Sequence, residues 1–228
     1  MPLPPLGLVF DLDGTLIESR RDIATAVNRM RAGRGLAPLS VEEVRTMVGE
    51  GARALVRRAL PPATPREELA AAVSSYLAHY REVCLETTRP YPGVPGMLAE
   101  VAQGFALAVL SNKGESLSRH ILAGLGLDRY LRQVVGGDTL PTRKPDPGGL
   151  FLLADRLAIA PARLLLVGDS RIDALTARAA GSPFALALWG WPDGGSQPPA
   201  AAEPEIEASW RFAQPADLPA ALGGEPGP

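Results

Sequence analysis

A chain of 228 residues and 24.0 kDa with a formal net charge of −2 is long enough for one large domain, or for one domain carrying an insert. At 46% hydrophobic, 21% charged and 5% aromatic residues, it cannot be a collagen, a disordered chain or a disulfide scaffold. The single cysteine, Cys84, rules out an intramolecular disulfide and fits a reducing compartment. The balanced charge offers nothing to nucleic acid or to an anionic membrane. The expectation is a cytoplasmic protein with neither as a partner.

In chain order, the start MPLPPLGLVF lacks the basic beginning of a signal peptide and the length of a membrane span. Residues 6–10 predict a first strand, which runs directly into Asp11-Leu-Asp-Gly-Thr15. From about residue 18 to 89 the pattern is helical throughout. Ser40-Val-Glu-Glu43 predicts a capping box, and so does Thr64-Pro65-Arg-Glu67, with Pro at the first helical position. A long helix is expected over 67–86, its apolar face formed by Leu69, Val73, Tyr76, Leu77 and Tyr80. This stretch carries 12 Arg and 9 acidic residues, whereas the remainder carries 11 basic and 16 acidic ones. A mildly positive lid over an acidic site would suit an anionic substrate; an ordinary solvated helix surface explains the same charges.

Beyond residue 90, short apolar runs alternate with helical patterns. Strands are predicted at 106–110, 134–135, 164–167 and 185–189, and helices at 95–103, 115–125, 149–157 and 172–180. Runs that are apolar throughout, without alternation, belong to strands covered on both faces. The expected fold is therefore α/β, a doubly wound parallel sheet of the Rossmann kind with an inserted all-helical domain. The core is assigned to 1–17 and 90–228 and the insert to 18–89. From Trp191 the sequence turns Pro-rich and predicts a loop over about 191–207, a short strand at 208–212 and an irregular tail at 223–228.

The chemistry gathers at the strand ends, where open α/β sheets bind ligands. Asp11 and Asp13 stand two residues apart after the first strand, and such a pair serves metal binding, covalent catalysis or acid/base work. Asp169 follows the 164–167 strand, with Asp173 one helical turn on; a plain helix N-cap at Asp169 is the alternative. Ser111-Asn112-Lys113 ends another strand, with a hydroxyl and backbone N–H groups suited to phosphate oxygens. Lys144 sits in the rigid Arg143-Lys-Pro-Asp-Pro147. Of the 23 basic residues only Lys113 and Lys144 are Lys, and only Asn28 and Asn112 are Asn. In a chain that otherwise replaces both types, three of these four fall in the two segments just named.

The order Asp11-Leu-Asp-Gly-Thr15, Ser111, Lys144, Gly168-Asp-Ser-Arg-Ile-Asp173 resembles the haloacid dehalogenase superfamily of phosphohydrolases, over nearly the whole chain to about Trp189. Val135-Gly-Gly-Asp-Thr-Leu140, Val48-Gly-Glu-Gly51 and Tyr91-Pro-Gly-Val94 are similar to bacterial phosphoglycolate phosphatases. The resemblance implies Asp11 as nucleophile and Asp13 as acid and base. It implies Mg²⁺ held by Asp11, the Asp13 backbone carbonyl and Asp169, with Ser170 and Asp173 supporting the metal site from behind. Ser111 and Asn112 would bind the phosphoryl group, and Lys144 would neutralise charge. In the insert, Gly49, Gly51 and Arg53 are candidates for substrate contact. Two departures stand out: Ile172 occupies a position where relatives often carry Asn, and the region after Trp189 is longer and richer in Pro.

The implied reaction is Mg²⁺-dependent hydrolysis of a small phosphorylated metabolite, 2-phosphoglycolate first among them. A phosphosugar phosphatase and a β-phosphoglucomutase-like mutase use the same parts, and a binding protein on a disabled scaffold ranks last because Asp11, Asp13, Lys144 and Asp169 are all present. The oligomeric state stays open. His79, His120 and Cys84 are read as structural, and Trp189, Trp191 and Trp210 as packing.

Overall fold

In the computed structural model, residues 5–190 and 207–223 are described. Trp191 and, apart from Glu207 and Gly223, the expected loop and tail lie outside them. The chain divides into two compact units, Met1–Glu18 with Pro90–Pro228 and Ser19–Arg89.

The first unit is built on a six-stranded sheet. Its strands are β1 (Gly7–Phe10), β4 (Ala106–Leu110), β5 (Gln133–Val135), β6 (Leu164–Gly168), β7 (Phe184–Ala187) and β8 (Trp210–Phe212), ordered β5-β4-β1-β6-β7-β8. Every pairing is parallel, and β1 lies between β4 and β6, with Phe10 level with both Val109 and Val167. Parallel neighbours demand long crossovers. These carry helices α5 (Val94–Val101), α6 (Glu115–Gly124), α7 (Gly148–Leu157), α8 (Arg171–Ala180) and, after β8, α9 (Asp217–Leu222). The reason for the unbroken apolar runs is visible in the packing. Val9, Leu110, Leu166 and Leu186 join Leu150, Leu153 and Ala177 of α7 and α8 in one core cluster. The intervening Leu8, Phe10, Val109 and Val167 are equally buried on the other face.

The second unit contains α1 (Arg20–Ala32), α2 (Val41–Arg45), α3 (Ala52–Arg58) and α4 (Arg66–Val83). Two short strands flank them in the sequence, β2 (Ile17–Glu18) and β3 (Arg89–Pro90), and these form a two-stranded sheet. The Ser40 capping box forms as expected, Ser40 Oγ accepting from the Glu43 N–H and Glu43 accepting from the Ser40 N–H. The Thr64 box does not. The helix starts at Arg66 with Pro65 as its cap, because the Thr64 hydroxyl is spent on the Pro61 carbonyl at 2.7 Å. Leu69, Ala72, Tyr76, Tyr80 and Val83 form the buried stripe of α4, whereas Leu77 is 40% exposed and Val73 only half-buried. Asn28 uses both ends of its amide on the Leu39 backbone at 2.8 Å, tying the loop after α1 down. Asp22 of α1, 1% exposed, accepts hydrogen bonds from the N–H and hydroxyl of both Thr87 and Thr88.

One expected strand ends early. The 185–189 run is β7 only to Ala187, and Trp189 lies beyond the strand. Among the described residues no helix is long and apolar enough to cross a membrane.

Candidate active site

Three strand ends supply the site. Asp11 follows β1 and is anchored by its N–H donating to the Val167 carbonyl of the neighbouring strand at 2.9 Å. Ser111 follows β4, its N–H donating to Val135 at 3.0 Å, and Asp169 follows β6. Register therefore carries all three to the carboxyl edge of the sheet. Beyond Asp13 the chain turns back within a few residues, the Gly14 N–H reaching the Ile17 carbonyl at 3.0 Å.

Lys144 is the electrostatic centre. Its ammonium lies 2.8 Å from Asp11 Oδ1 and 2.7 Å from Asp173 Oδ1, and its side chain is 3% exposed. Burial works to lower its pKa, but the two carboxylates outweigh burial and hold the ammonium charged above its ordinary range. The segment is fixed by Asn112, whose side-chain amide donates to the Lys144 carbonyl at 3.0 Å; the Lys144–Pro145 peptide is cis. Asp173 is the N3 residue of a capping box that opens α8, its other oxygen accepting from the Ser170 hydroxyl at 2.6 Å and N–H at 3.2 Å. The cap of that helix is Ser170, so the N-cap reading of Asp169 falls and its carboxylate is left to the site.

One carboxylate oxygen from each of Asp11, Asp169 and Asp173 lies within 4.8 Å of the others. Burial pushes the Asp11 carboxyl up to about 7, Lys144 pulling it back and Asp173 adding to the rise. Burial also lifts Asp169 well above the usual carboxylate range, with Asp11 and Asp173 adding repulsion against the Thr15 hydroxyl that donates to it at 2.9 Å. Acids held this way lack positive charge, and a donor set made only of oxygens suits a hard divalent cation. Asp173 is already engaged on both oxygens by Lys144 and Ser170. Asp11 and Asp169 are therefore the better placed ligands.

Several neighbours were not assigned to the site by sequence reasoning. Lys113 sets its ammonium 2.8 Å from both oxygens of Asp13, with side-chain exposures of 6% and 12%. Its rarity as one of two lysines was the available signal. Thr15 reaches Asp169, and Trp189, read as packing, donates its indole N–H to the Thr15 carbonyl at 2.8 Å. The Gly136-Gly137 pair after β5 explains itself through proximity. A Cβ at Gly136 would stand 2.1 Å from the Glu115 nitrogen, and one at Gly137 2.4 Å from the Asn112 carbonyl. Only bare backbone lets this loop lie on the Ser111–Asn112 turn. Ser111 Oγ itself accepts from the Lys113 N–H at 3.2 Å.

The structure thus brings Asp11, Asp13, Ser111, Asn112, Lys144, Asp169, Ser170 and Asp173 together in the first unit. Gly49, Gly51 and Arg53 belong to the other unit: both glycines adopt positive φ, Gly51 caps α3, and Arg53 is exposed on that helix.

Comparison with known proteins gives this site its context. The family model described as haloacid dehalogenase-like hydrolase matches residues 8–187. A curated phosphoglycolate phosphatase of Rhodospirillum rubrum is 43% identical over 195 residues, covering 82% of this chain and 81% of its own. Phosphoglycolate phosphatase 1 of Pseudomonas aeruginosa is 40% identical over 196 residues, 83% of this chain and 72% of its own. The crystal structure of a predicted phosphoglycolate phosphatase from Haemophilus somnus superposes with a TM-score of 0.87 at 30% identity, covering 97% of this chain and 99% of that one. The chain belongs to the haloacid dehalogenase-like hydrolase family and is a phosphatase similar to these curated relatives.

Proposed function

We propose that the chain is a Mg²⁺-dependent phosphomonoesterase that hydrolyses 2-phosphoglycolate to glycolate and phosphate through an aspartyl-phosphate on Asp11. The observation that carries the mechanism is the arrangement around Lys144: one buried ammonium holds the nucleophile candidate and a buttressing carboxylate at 2.8 and 2.7 Å while Asp169 stands by. Identity of about 40% to relatives named phosphoglycolate phosphatase supports the substrate.

In this reading the Asp11 carboxylate attacks phosphorus in line with the departing alkoxide, so a P–O bond to Asp11 forms as the ester P–O bond breaks. Asp13 gives a proton to the alkoxide and then takes one from the water that cleaves the acyl phosphate, releasing phosphate and restoring Asp11. Ser111 and the Asn112 backbone bind phosphoryl oxygens, and Lys144 offsets their charge while keeping Asp11 oriented. Asp11, the Asp13 carbonyl and Asp169 would hold Mg²⁺, with Ser170 and Asp173 behind them. The bound cation supplies charge neutralisation between nucleophile and phosphate. Gly49, Gly51 and Arg53 are proposed for recognition of the substrate's carboxylate, Arg53 by a bidentate pair. The compartment proposed is the cytoplasm, in keeping with one buried free cysteine.

The test is phosphate release with Mg²⁺ across 2-phosphoglycolate, sugar phosphates, nucleoside monophosphates and pyrophosphate, with Asp11→Asn and excess EDTA as blanks. A kcat/KM for 2-phosphoglycolate well above the rest is expected. Activity concentrated on another ester would discard the substrate and keep the mechanism; hydrolysis that survives EDTA would contradict the metal requirement.

A further inference from the structure

Beyond β7 the chain does something that packing alone does not require. The Leu188 N–H still follows the sheet, donating to Phe212 at 2.9 Å, but the next two residues leave it and press onto the loop that carries Asp13, Gly14 and Thr15. Trp189 is 8% exposed and donates its indole N–H to the Thr15 carbonyl at 2.8 Å. A Cβ on Gly190 would lie 2.1 Å from the Gly14 carbonyl oxygen and 3.1 Å from Asp169 Cβ. Gly190 is thus wedged between two strand-end segments, where any side chain would force them apart.

The contact has a second half. Thr15 takes the indole N–H on its carbonyl and gives its own hydroxyl to Asp169 Oδ1 at 2.9 Å. One residue therefore links Trp189 to Asp169. A residue held at its backbone carbonyl and at its side-chain hydroxyl transmits a shift of a few tenths of an ångström, since close-packed interiors have no slack to absorb it. Catalytic constellations tolerate roughly 0.5 Å before they lose rate.

We propose that Trp189 and Gly190 are positioning residues that brace the Asp13–Thr15 loop against Asp169 and so set the separation of the two strand ends on which the phosphatase site is built. The inference rests on the metal and nucleophile roles proposed above. It assigns Trp189 a task carried by its N–H, with the bulk of the ring as a separate contribution, and it makes Gly190 a spacer. Neither residue touches the reacting atoms, so the brace acts on the rate of chemistry and on cation affinity, with substrate binding left alone.

The experiment uses the full chain and four variants: Trp189→Phe, which keeps the ring and removes the N–H; Gly190→Ala; Thr15→Val, which keeps the carbonyl and removes the hydroxyl; and the Trp189→Phe/Thr15→Val double. Two readouts are taken: Mn²⁺ binding to protein without substrate, followed by the free-ion paramagnetic resonance signal, and kcat and KM for 2-phosphoglycolate. Each single variant is expected to bind Mn²⁺ about tenfold more weakly and to lose about tenfold or more in kcat, with KM within about twofold. In the Thr15→Val background, Trp189→Phe is expected to do little more, because its route to Asp169 is already cut. Wild-type affinity and kcat in both Trp189→Phe and Gly190→Ala would overturn the brace. So would full additivity in the double variant, or a loss of melting temperature with metal affinity untouched, which would make the contact merely structural. Should Gly190→Ala not fold, the Trp189→Phe and Thr15→Val cycle decides alone. Wild-type protein that takes up no Mn²⁺ would overturn the metal reading first and the brace with it, a result separable from the others.

Discussion

Two regions of this molecule bury aspartate, and they do so in opposite ways. In the helical unit, Asp22 is met by four donors, the N–H and hydroxyl groups of Thr87 and Thr88. Nothing else is needed, because each lone pair of the carboxylate that leaves water finds a hydrogen bond inside the same fold. At the strand ends, Asp11, Asp169 and Asp173 crowd within 4.8 Å of one another around the Lys144 ammonium. Burial and mutual repulsion hold Asp11 and Asp169 above the usual carboxylate range. A buried acid satisfied by its own fold is architecture. A cluster whose charge the fold leaves over fits the cation and phosphate proposed for it.

The contrast can be broken by substitution. Asp11→Asn preserves shape and removes the proposed nucleophile, so turnover should fall by at least about a thousandfold with the circular dichroism spectrum unchanged; retained hydrolysis would dismiss Asp11 from its role. Asp13→Asn should slow turnover by about a hundred- to ten-thousandfold while leaving Mn²⁺ uptake largely intact, because the proposed ligand there is a backbone carbonyl. Full activity would remove the acid/base assignment.

Asp22→Asn should behave in the reverse manner. An amide turns two hydrogens toward groups that are themselves donors, and about 2–3 kcal/mol of stability should be lost in chemical denaturation. Metal uptake should not change. Asp169→Asn sharpens the comparison with a smaller effect of opposite sign: the metal-free variant should melt about 2–4 °C above wild type at pH 8, because burial and the neighbouring aspartates disfavour an ionised carboxyl there and an amide has none to disfavour. A lower melting temperature there would mean that the cluster is stabilising as built.

The pH dependence follows from the same difference. A carboxyl raised in the folded state holds a proton that the unfolded chain releases, so its contribution to stability is present at low pH and is lost as pH rises toward its folded value. With Asp11 at about 7, metal-free protein should lose stability between about pH 4 and pH 7, and added Mg²⁺ should raise the melting temperature more at pH 8 than at pH 5.5. An equal rise at both values would show that the cation does not bind where these acids are.

Much of this arrangement is legible in the residues. Strand β4 spans the five positions that its apolar run predicts, and the motif aspartates stand at strand ends because parallel register puts them there. What escapes is contact at a distance in sequence. Asp22 meets Thr87 and Thr88 across 65 and 66 residues with no periodicity to announce the pairing. Lys113 shows only as a rare residue type, since nothing local says that its ammonium will meet Asp13. The strand expected at 185–189 overreaches because an apolar Trp reads as strand, whereas its N–H is drawn to the Thr15 carbonyl beside the site. Thr64 misleads for a similar reason: a local competitor, the Pro61 carbonyl, takes the hydroxyl that a capping box would use.

The central claim is that Asp11 becomes phosphorylated. It is tested most directly by quenching the enzyme during turnover of 2-phosphoglycolate, reducing with borohydride, and locating the modified peptide by mass spectrometry. The account predicts that an acyl phosphate on Asp11 is converted to homoserine at that position, in wild-type protein and not in Asp11→Asn. Phosphate released at full rate with position 11 unmodified throughout would contradict it.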